Sequence, residues 1–244
     1  MATGVQAQGQ ENQFLASLDR NDGAFIMPHA QTVELPRGRL LTDTGGPIVD
    51  AWFPHDAVIS FQSVMANGQA VENGTIGREG FAGFSALLGS HLEISRSLVE
   101  VPGHAARVPL SVVQSAWTES LAFREKVLLY VRAVLVQLAQ SVACAALHSV
   151  EQRMARWLLM THDRVGQDDL ALTHEYLGEM LGVQRPTITR TVERFEKAGS
   201  IRSRRGRITV QDRAELERAA CECYAAVRSA FDFSRTAHTI SPST

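Results

Sequence analysis

The spacing of apolar residues divides the chain into zones of different structure. Between about Gln31 and Val108, short apolar runs such as Thr32–Leu35 and Ala70–Ile76 are separated by turn residues such as the pair Asn67 and Gly68. Such evenly spaced turns predict a small all-β barrel or roll. From Leu121 the apolar period becomes helical, and five apolar residues follow one another at steps of three and four. This predicted seam, typical of a two-stranded coiled coil, consists of Leu128, Val131, Leu135, Leu138 and Val142.

A second helical pattern follows in the last third of the chain and turns sharply at Gly182. The apolar residues Leu177 and Leu181 anchor a short first helix, and glycine allows the tight bend after it. A second helix begins after Gln184, with a first-turn proline, and ends before Gly199. Its apolar positions at i, i+4 and i+7 predict one buried stripe. That stripe is Ile188, Val192 and Phe195.

The opposite face of this second helix is polar and basic. By the helical step, Arg190 faces away from the buried stripe, and Arg185 and Thr189 flank the same outer face near the helix start. A short alternating hairpin follows, whose tip contains Arg204 and Arg205. Arginines on a helix and a hairpin tip can contact base edges and phosphates, so the pattern predicts a winged helix-turn-helix that binds double-stranded DNA.

The charge distribution supports a polyanionic partner for this region. The whole chain has a net charge of −2, but residues 173–213 hold nine basic and five acidic residues, a net charge of +4. Residues 1–115 hold six basic and eleven acidic residues, a net charge of −5. A local basic patch on an otherwise acidic chain predicts salt-dependent binding to DNA.

The sequence predicts an α+β fold that combines a β-roll of the jelly-roll type, a long dimerisation helix and a winged helix-turn-helix. Ser149 and Gln152 form a capping-box pair, so a new helix is expected to begin there. A single last helix is expected from Asp212 to about Ser229. The expected boundaries are a disordered segment 1–13, a sensor roll 14–120, a dimerisation helix 121–148, a DNA-binding domain 149–232 and a disordered tail 233–244.

Several classes of protein are disfavoured. The chain shows no signal peptide and no uninterrupted apolar run of about 18 residues, so a cytoplasmic protein without a membrane span is expected. Cys144, Cys221 and Cys223 have no zinc-binding spacing, and the last two would point to different sides of one helix. No metal site is therefore expected. Motifs of hydrolases and nucleotide-binding enzymes are absent, which disfavours an enzyme.

The segments HSVEQRMARWLL (148–159) and LTHEYLGEMLGVQRPTITR (172–190), placed after a β-roll and a long helix, resemble the Crp-Fnr family of bacterial transcription regulators. The resemblance extends over residues 14 to 212. It implies a β-roll like those that bind cyclic nucleotides, a homodimer on a palindromic operator, and contact with RNA polymerase.

The resemblance also assigns roles within the second helix. It places guanine-reading arginines at Arg185 and Arg190 and a phosphate-binding hydroxyl at Thr187. Pro186 replaces a glutamate of the family, so the operator is expected to differ from the common family sequence. Gln184 replaces a small polar cap residue and is assigned to DNA contact. His174 occupies a position where the family often places a phosphate-binding side chain, although an exposed histidine without that role is an equal alternative.

In cyclic-nucleotide-binding members of the family, a glycine-glutamate pair and a later arginine-serine pair bind the ligand. Here Arg96 and Ser97 match the second pair, but Gly83 is followed by phenylalanine, and Glu79 precedes its glycine. Binding of cyclic nucleotide in the usual manner is therefore not expected, and no cofactor is predicted. No cysteine precedes Cys144, which excludes the iron-sulfur cluster of the oxygen-sensing members.

Haem bound by one histidine such as His91 or His104 stays open as a minor alternative. Two other functions compete with the DNA-binding one. The first is a cyclic-nucleotide- or small-molecule-binding module that acts through a protein partner. The second is a cupin-like metalloenzyme, which the scattered histidines of the roll disfavour.

Overall fold

The computed structural model describes residues 11–233, and the predicted α+β architecture is confirmed. Two antiparallel sheets form the roll, with strand orders β1-β7-β3 and β2-β6-β4-β5. The strands are β1 Gln31–Leu35, β2 Leu40–Thr42, β3 Asp50–Pro54, β4 Val58–Val64, β5 Ala70–Ile76, β6 Arg96–Val101 and β7 Gly103–Pro109. A 3-10 turn at Phe84–Leu87 interrupts the connection from β5 to β6.

An aromatic cluster fills the roll and fastens the long helix onto it. Phe53 and Phe81 stack with ring centroids 4.7 Å apart, and Phe14 lies 5.0 Å from Phe81. Tyr130 of the long helix stacks on Phe81 at 5.2 Å, and its hydroxyl donates to the Phe81 carbonyl at 2.7 Å. Gly80 makes this approach possible, because a Cβ there would lie 2.1 Å from the Tyr130 ring.

The chain before the roll forms two short helices and a turn instead of one continuous helix. It forms α1 Gln13–Ala16, α2 Arg20–Ile26 and a 3-10 turn at Met27–His29. The break arises because Asp19 caps α2 by accepting a hydrogen bond from the backbone N–H of Asp22 at 2.8 Å.

The segment that was predicted as disordered, 1–13, includes a residue of the fold. Asn12 is buried, and its side-chain amide donates to the carbonyl oxygens of Pro54 and Gly80 at 2.8 and 2.9 Å. It therefore anchors the start of α1 to the roll. Residues 1–10, and residues 234–244 of the predicted tail, lie outside the described residues.

Two helices connect the roll to the C-terminal part of the chain. The first, α3 Leu110–Glu119, was not predicted, because its amphipathic pattern continues directly from β7. The second is α4 Leu121–Leu147, which begins where the Ser120 hydroxyl accepts the backbone N–H of Phe123 at 3.1 Å. It ends at His148, whose extended backbone breaks the helix before the next one starts.

By length and composition alone, α4 would pass as a membrane-spanning helix, with a mean hydropathy of 1.7. Arg132 interrupts its apolar sequence. Phe123, Val127, Tyr130 and Val134 on one face are buried against the roll, which accounts for much of the apolar character.

The C-terminal part has its own core, formed by five helices and a small sheet among the residues described. Ser149 and Gln152 make the predicted capping box at the first of these helices. The sheet has strand order β8-β10-β9. The elements are α5 Val150–Val165, β8 Asp169–Leu170, α6 His174–Leu181, α7 Arg185–Lys197, β9 Ile201–Arg204, β10 Arg207–Val210, α8 Arg213–Ala219 and α9 Cys223–Ala230.

The single last helix expected from Asp212 is wrong. The chain leaves the helical conformation at Ala220, where ψ is 154°, and resumes it in α9. The prediction that Cys221 and Cys223 point to different sides of one helix fails for this reason. Both thiols are buried together with Cys144.

Candidate DNA-binding interface

Two glycines shape the turn between α6 and α7. Gly182 ends α6 in the left-handed conformation, with φ of 64°, which favours glycine. Gly178 lies against the turn itself, because a Cβ there would be 2.9 Å from the Val183 carbonyl oxygen. The Val183 N–H donates to the Gly178 carbonyl at 2.9 Å. These contacts set the angle at which α7 leaves α6.

Helix α7 has the two faces that its sequence pattern predicts. Ile188, Val192 and Phe195 are buried in the C-terminal core, and Arg185 and Arg190 are exposed on the outer surface. The Arg190 Nε lies 3.4 Å from the Pro186 carbonyl oxygen, so the side chain leans toward the start of the helix. Its terminal guanidinium nitrogens are left for an external partner.

The start of α7 presents uncommitted polar groups. Gln184 occupies the N-cap position, is exposed, and makes no side-chain capping hydrogen bond. Pro186 lies within the first turn, where its missing N–H costs no helical hydrogen bond. The Thr187 side chain is half-buried, and its hydroxyl has no hydrogen-bond partner among the described residues. The helix N-terminus favours an anion here, as its free N–H groups and dipole carry partial positive charge.

His174 does not point freely into solvent but joins three elements. Its Nδ1 lies 3.3 Å from the Thr189 hydroxyl of α7, and its Nε2 lies 3.2 Å from the Ser203 hydroxyl of β9. The Thr189 hydroxyl also donates to the Arg185 carbonyl at 3.2 Å. In this structure the side chains of His174 and Thr189 therefore position α7 and the hairpin. Each would need a different rotamer to bind phosphate.

The hairpin formed by β9 and β10 is held beside α7 and carries free arginines at its tip. The backbone N–H of Ser203 donates to the Glu196 carboxylate of α7 at 2.7 Å. Arg204 and Arg205 are exposed, and neither side chain has an ion-pair or hydrogen-bond partner within the described part of the chain. Arg207 differs, since it pairs with Asp169 of β8. The tip therefore carries unneutralised positive charge.

The predicted seam residues of α4 divide into two groups. Leu128, Leu135 and Val142 are exposed, by 50%, 60% and 73%. Val131 and Leu138 are only half-buried and pack against the roll core. The exposed apolar stripe continues to Leu121, which lies seven residues before Leu128.

The residues matched to a nucleotide-binding cassette have structural partners in this chain. Arg96 forms a bidentate pair with Asp43, at 3.0 and 3.1 Å, on the outside of the roll. Its guanidinium holds the pKa of Asp43 below the usual range. Gly83 has φ of 93°, and a Cβ there would lie 2.9 Å from the Asp50 carbonyl, so a tight turn explains it. Ser97 is buried inside the roll.

A cavity between the roll and α4 has a volume of only about 100 Å³. Phe61 and Phe84 line it on the side of the roll, and Leu138 lines it on the side of α4. Glu93 also faces it, and burial raises the pKa of this carboxyl, opposed by a hydrogen bond from the Ser85 hydroxyl at 2.9 Å. The histidines considered for haem lie elsewhere: His91 contacts Gln114 and His104 contacts Asp56.

Comparisons with known proteins agree with this architecture. A family model described as the Crp-like helix-turn-helix domain matches residues 152–219. No curated protein matches the chain.

Solved structures share the fold at low sequence identity. A putative transcriptional regulator of the Crp/Fnr family from Eubacterium rectale has a TM-score of 0.62 and 17% identity, covering 84% of this chain and 95% of its own. FixK2 from Bradyrhizobium japonicum has a TM-score of 0.67 and 13% identity, and the match covers 79% of this chain and 98% of FixK2. A Crp/Fnr-family regulator from Thermus thermophilus has a TM-score of 0.61 and 21% identity, covering 78% and 98%.

The outward arginines of α7 and of the wing thus belong to a recognised DNA-binding domain. The chain has the fold of the Crp/Fnr regulators and carries a Crp-like helix-turn-helix domain over residues 152–219, which confirms the predicted function as a DNA-binding transcription regulator.

Proposed function

We propose that this regulator binds a palindromic operator as a homodimer, with one α7 helix of each protomer in successive major grooves. The observation that carries the proposal is that α7 exposes arginines without protein partners on one face and buries its apolar residues on the other. Arg185 and Arg190 are exposed on α7, while its apolar stripe is buried. Each arginine can bind the O6 and N7 atoms of guanine, a contact worth about 1–3 kcal/mol of discrimination.

Phosphate contacts complete the interface. Arg204 and Arg205 at the wing tip, together with Gln184 and Thr187 at the start of α7, have polar groups free for the backbone of the duplex. His174 and Thr189 hold the wing against α7, so we assign them positioning roles in addition to the DNA contacts predicted for them. Pro186 cannot accept a hydrogen bond from cytosine, and the operator differs accordingly from that of relatives with a glutamate there.

The second protomer covers the exposed stripe of α4. Leu121, Leu128, Leu135 and Val142 recur every seven residues on its solvent face, which is the period of a two-stranded coiled coil. A soluble protein gains free energy by burying such a continuous apolar stripe. Val131 and Leu138, at the edge of the stripe, contact both the roll and the partner helix.

The proposed regulator acts in the cytoplasm, contacts RNA polymerase and has no catalytic activity. We propose that its roll does not bind cyclic nucleotide in the usual manner. Support comes from Arg96, which is paired with Asp43, and from the cavity of about 100 Å³, since sites for small-molecule ligands generally span about 300–1,000 Å³. The roll instead takes a different ligand, or none.

Selection of binding sites from random duplex DNA with the purified full chain tests the proposal. The expected result is a two-fold symmetric sequence whose half-sites lie about one helical turn apart. Enrichment of a single asymmetric half-site would overturn the dimeric arrangement. Absence of any sequence preference, with and without cell extract as a source of effector, would overturn sequence-specific binding itself.

A further inference from the structure

Four metal-binding side chains meet where the long helix ends. Cys144 lies in the last turn of α4, His148 follows that helix, Cys221 lies between α8 and α9, and Cys223 begins α9. One donor atom from each residue lies within 4.8 Å of all the others. All three thiols are buried. We propose that these residues form a mononuclear Cys3His site for a thiophilic divalent metal ion, Zn²⁺.

Two distances between donor atoms match those of a tetrahedral ion, and all four atoms lie within 4.8 Å of one another. The Sγ atoms of Cys144 and Cys221 are 3.5 Å apart, and the Cys223 Sγ lies 3.6 Å from the His148 Nδ1. With Zn–S bonds of about 2.3 Å and Zn–N bonds of about 2.0 Å, neighbouring ligands of a tetrahedral site are separated by about 3.5–3.8 Å. Four protein ligands leave no open position, so the site is a structural one.

The histidine is already oriented for coordination. The His148 Nε2 lies 3.3 Å from the Glu222 carboxylate, while Nδ1 faces the thiols. If Nε2–H donates to Glu222, the lone pair of Nδ1 points into the cluster. Histidine ligands of metal sites are commonly held in this way by a carboxylate. Glu222 therefore acts as a positioning residue between the two cysteines that flank it.

The surroundings also compensate the charge of the site. Three thiolates and one Zn²⁺ carry a net charge of −1, and Arg153 and Arg156 of α5 both interact electrostatically with Cys144. Arg156 is only 9% exposed, and its Nε has no hydrogen-bond partner among the residues described. A buried guanidinium is costly unless an anion balances it, and an anionic metal-thiolate centre supplies that balance.

Other uses of the thiols fit the geometry less well. A disulfide needs sulfur atoms about 2.05 Å apart, whereas Cys144 and Cys221 are 3.5 Å apart with a histidine beside them. Sulfur and imidazole ligands in a closed tetrahedral set select zinc among common cellular divalent ions. A disulfide between Cys144 and Cys221, or an iron-sulfur centre at these residues, would contradict the site.

The location gives the site a consequence for regulation, and this consequence rests on the function proposed above. Cys144 lies in the last turn of α4 and His148 directly after it, whereas Cys221 and Cys223 belong to the DNA-binding domain. The extended backbone of His148 ends α4 and starts the connection to that domain. A bound ion would fasten the domain to α4 and fix the direction of α7 relative to the dimer axis.

Metal analysis of the purified full chain tests the site itself. The expected result is one zinc ion per protomer, and replacement by Co²⁺ should give visible absorption bands of a tetrahedral thiolate complex. Cys144→Ser and Cys223→Ser should lose the ion. Glu222→Gln should retain all four ligands but bind Zn²⁺ about 10–100-fold more weakly. His91→Gln, which removes a histidine from the roll surface, is the matched control and should bind one ion.

Three results would overturn the site: no Zn²⁺ or Co²⁺ bound by a folded chain, a Cys144–Cys221 disulfide found by mass spectrometry, or iron with acid-labile sulfide. If the cysteine variants fail to fold, the affinity of Glu222→Gln decides, because that variant keeps every ligand. DNA binding is measured separately by fluorescence anisotropy. Metal binding without preference for any DNA sequence would refute only the proposed function. Sequence-specific DNA binding by a chain that binds no metal ion would refute only the site.

Discussion

Arg164 of α5 forms a buried ion pair with Glu79 of the roll, and its Nε lies 2.7 Å from the Glu79 Oε1. The same guanidinium donates to the Gln137 side chain of α4 at 2.8 Å and to the Thr75 hydroxyl of β5. Gly77 makes room for it, because a Cβ there would lie 2.4 Å from the Arg164 Cγ. One side chain therefore joins the DNA-binding domain, helix α4 and the roll.

Arg164→Met is expected to lower the free energy of unfolding by about 3–5 kcal/mol, because Glu79 would be left buried without its partner. Urea denaturation measures the change. Arg96→Met is the control: it breaks an exposed arginine–aspartate pair on the same roll, for which a much smaller loss is expected because solvent screens the pair. Equal losses in the two variants would contradict a stabilising role for the Arg164 contacts.

Arg190→Ala should weaken binding to the selected operator by about 1–3 kcal/mol and relax base preference at one position of each half-site. The cause is loss of a bidentate contact from an exposed side chain on α7. Repeating the site selection with the variant measures both effects. Arg218→Ala, which removes an arginine paired with Glu215 on α8, should leave the selected sequence unchanged.

Arg204→Ala and Arg205→Ala should act differently from Arg190→Ala, since a phosphate contact carries no direct sequence information. Each should weaken binding to operator and to random duplex by similar factors. The slope of log affinity against log salt concentration should fall by about one for each arginine. A change in the selected sequence with an unchanged salt slope would place the wing tip over base edges instead.

Local signals in the sequence were sufficient for much of this fold. The capping box at Ser149, the proline in the first turn of α7 and the glycine at 182 act within a few residues, so the helix bounds follow from the chain itself. The strand β5 Ala70–Ile76 was likewise delimited by its flanking turn residues. These short-range features also predicted the exposed arginines of α7.

Features that depend on contacts distant in sequence could not be predicted in this way. Nothing near Ala220 signals that the last helix breaks there, and the pairing of Cys221 with Cys144 joins residues 77 positions apart. The role of His174 depends on Ser203, which is 29 positions away. The one local sequence sign of the proposed metal site is the short spacing of Cys144 and His148, which lie in the last turn of α4 and directly after it.

Leu135→Asp should dissociate the proposed dimer, because the variant would place a charge in the middle of an apolar seam. Leu135 is 60% exposed in one chain, so the substitution should leave the fold of the protomer intact. Sedimentation velocity measures the oligomeric state. Leu40→Asp, which changes a similarly exposed leucine on the roll, should remain dimeric. A dimeric Leu135→Asp variant would show that another surface forms the dimer.

Glu100 is expected to make stability depend on pH. It is buried, accepts a hydrogen bond from the Gln62 amide at 2.9 Å, and lies near Arg37 and Glu179. Burial raises the pKa of Glu100 from 4.5 to about 7. As pH rises between these two values, the unfolded chain loses this proton while the folded chain keeps it. The free energy of unfolding therefore falls across that pH range and stays constant above it.

Glu100→Gln should remove this loss, because a neutral amide fills the same space and can still accept from Gln62. The variant should exceed the original chain in free energy of unfolding by up to about 3 kcal/mol at about pH 8, and the two should converge near pH 4. Glu72 also titrates in both proteins; burial, and after it the Glu100 charge, raise its pKa to about 7, so Glu100→Gln should lower the Glu72 pKa and add to the gain in stability. Urea denaturation at several pH values measures the difference. A variant less stable than the original chain at about pH 8 would contradict this prediction. It would mean that the ionised Glu100 carboxylate stabilises the folded protein, so that its pKa is lowered and not raised.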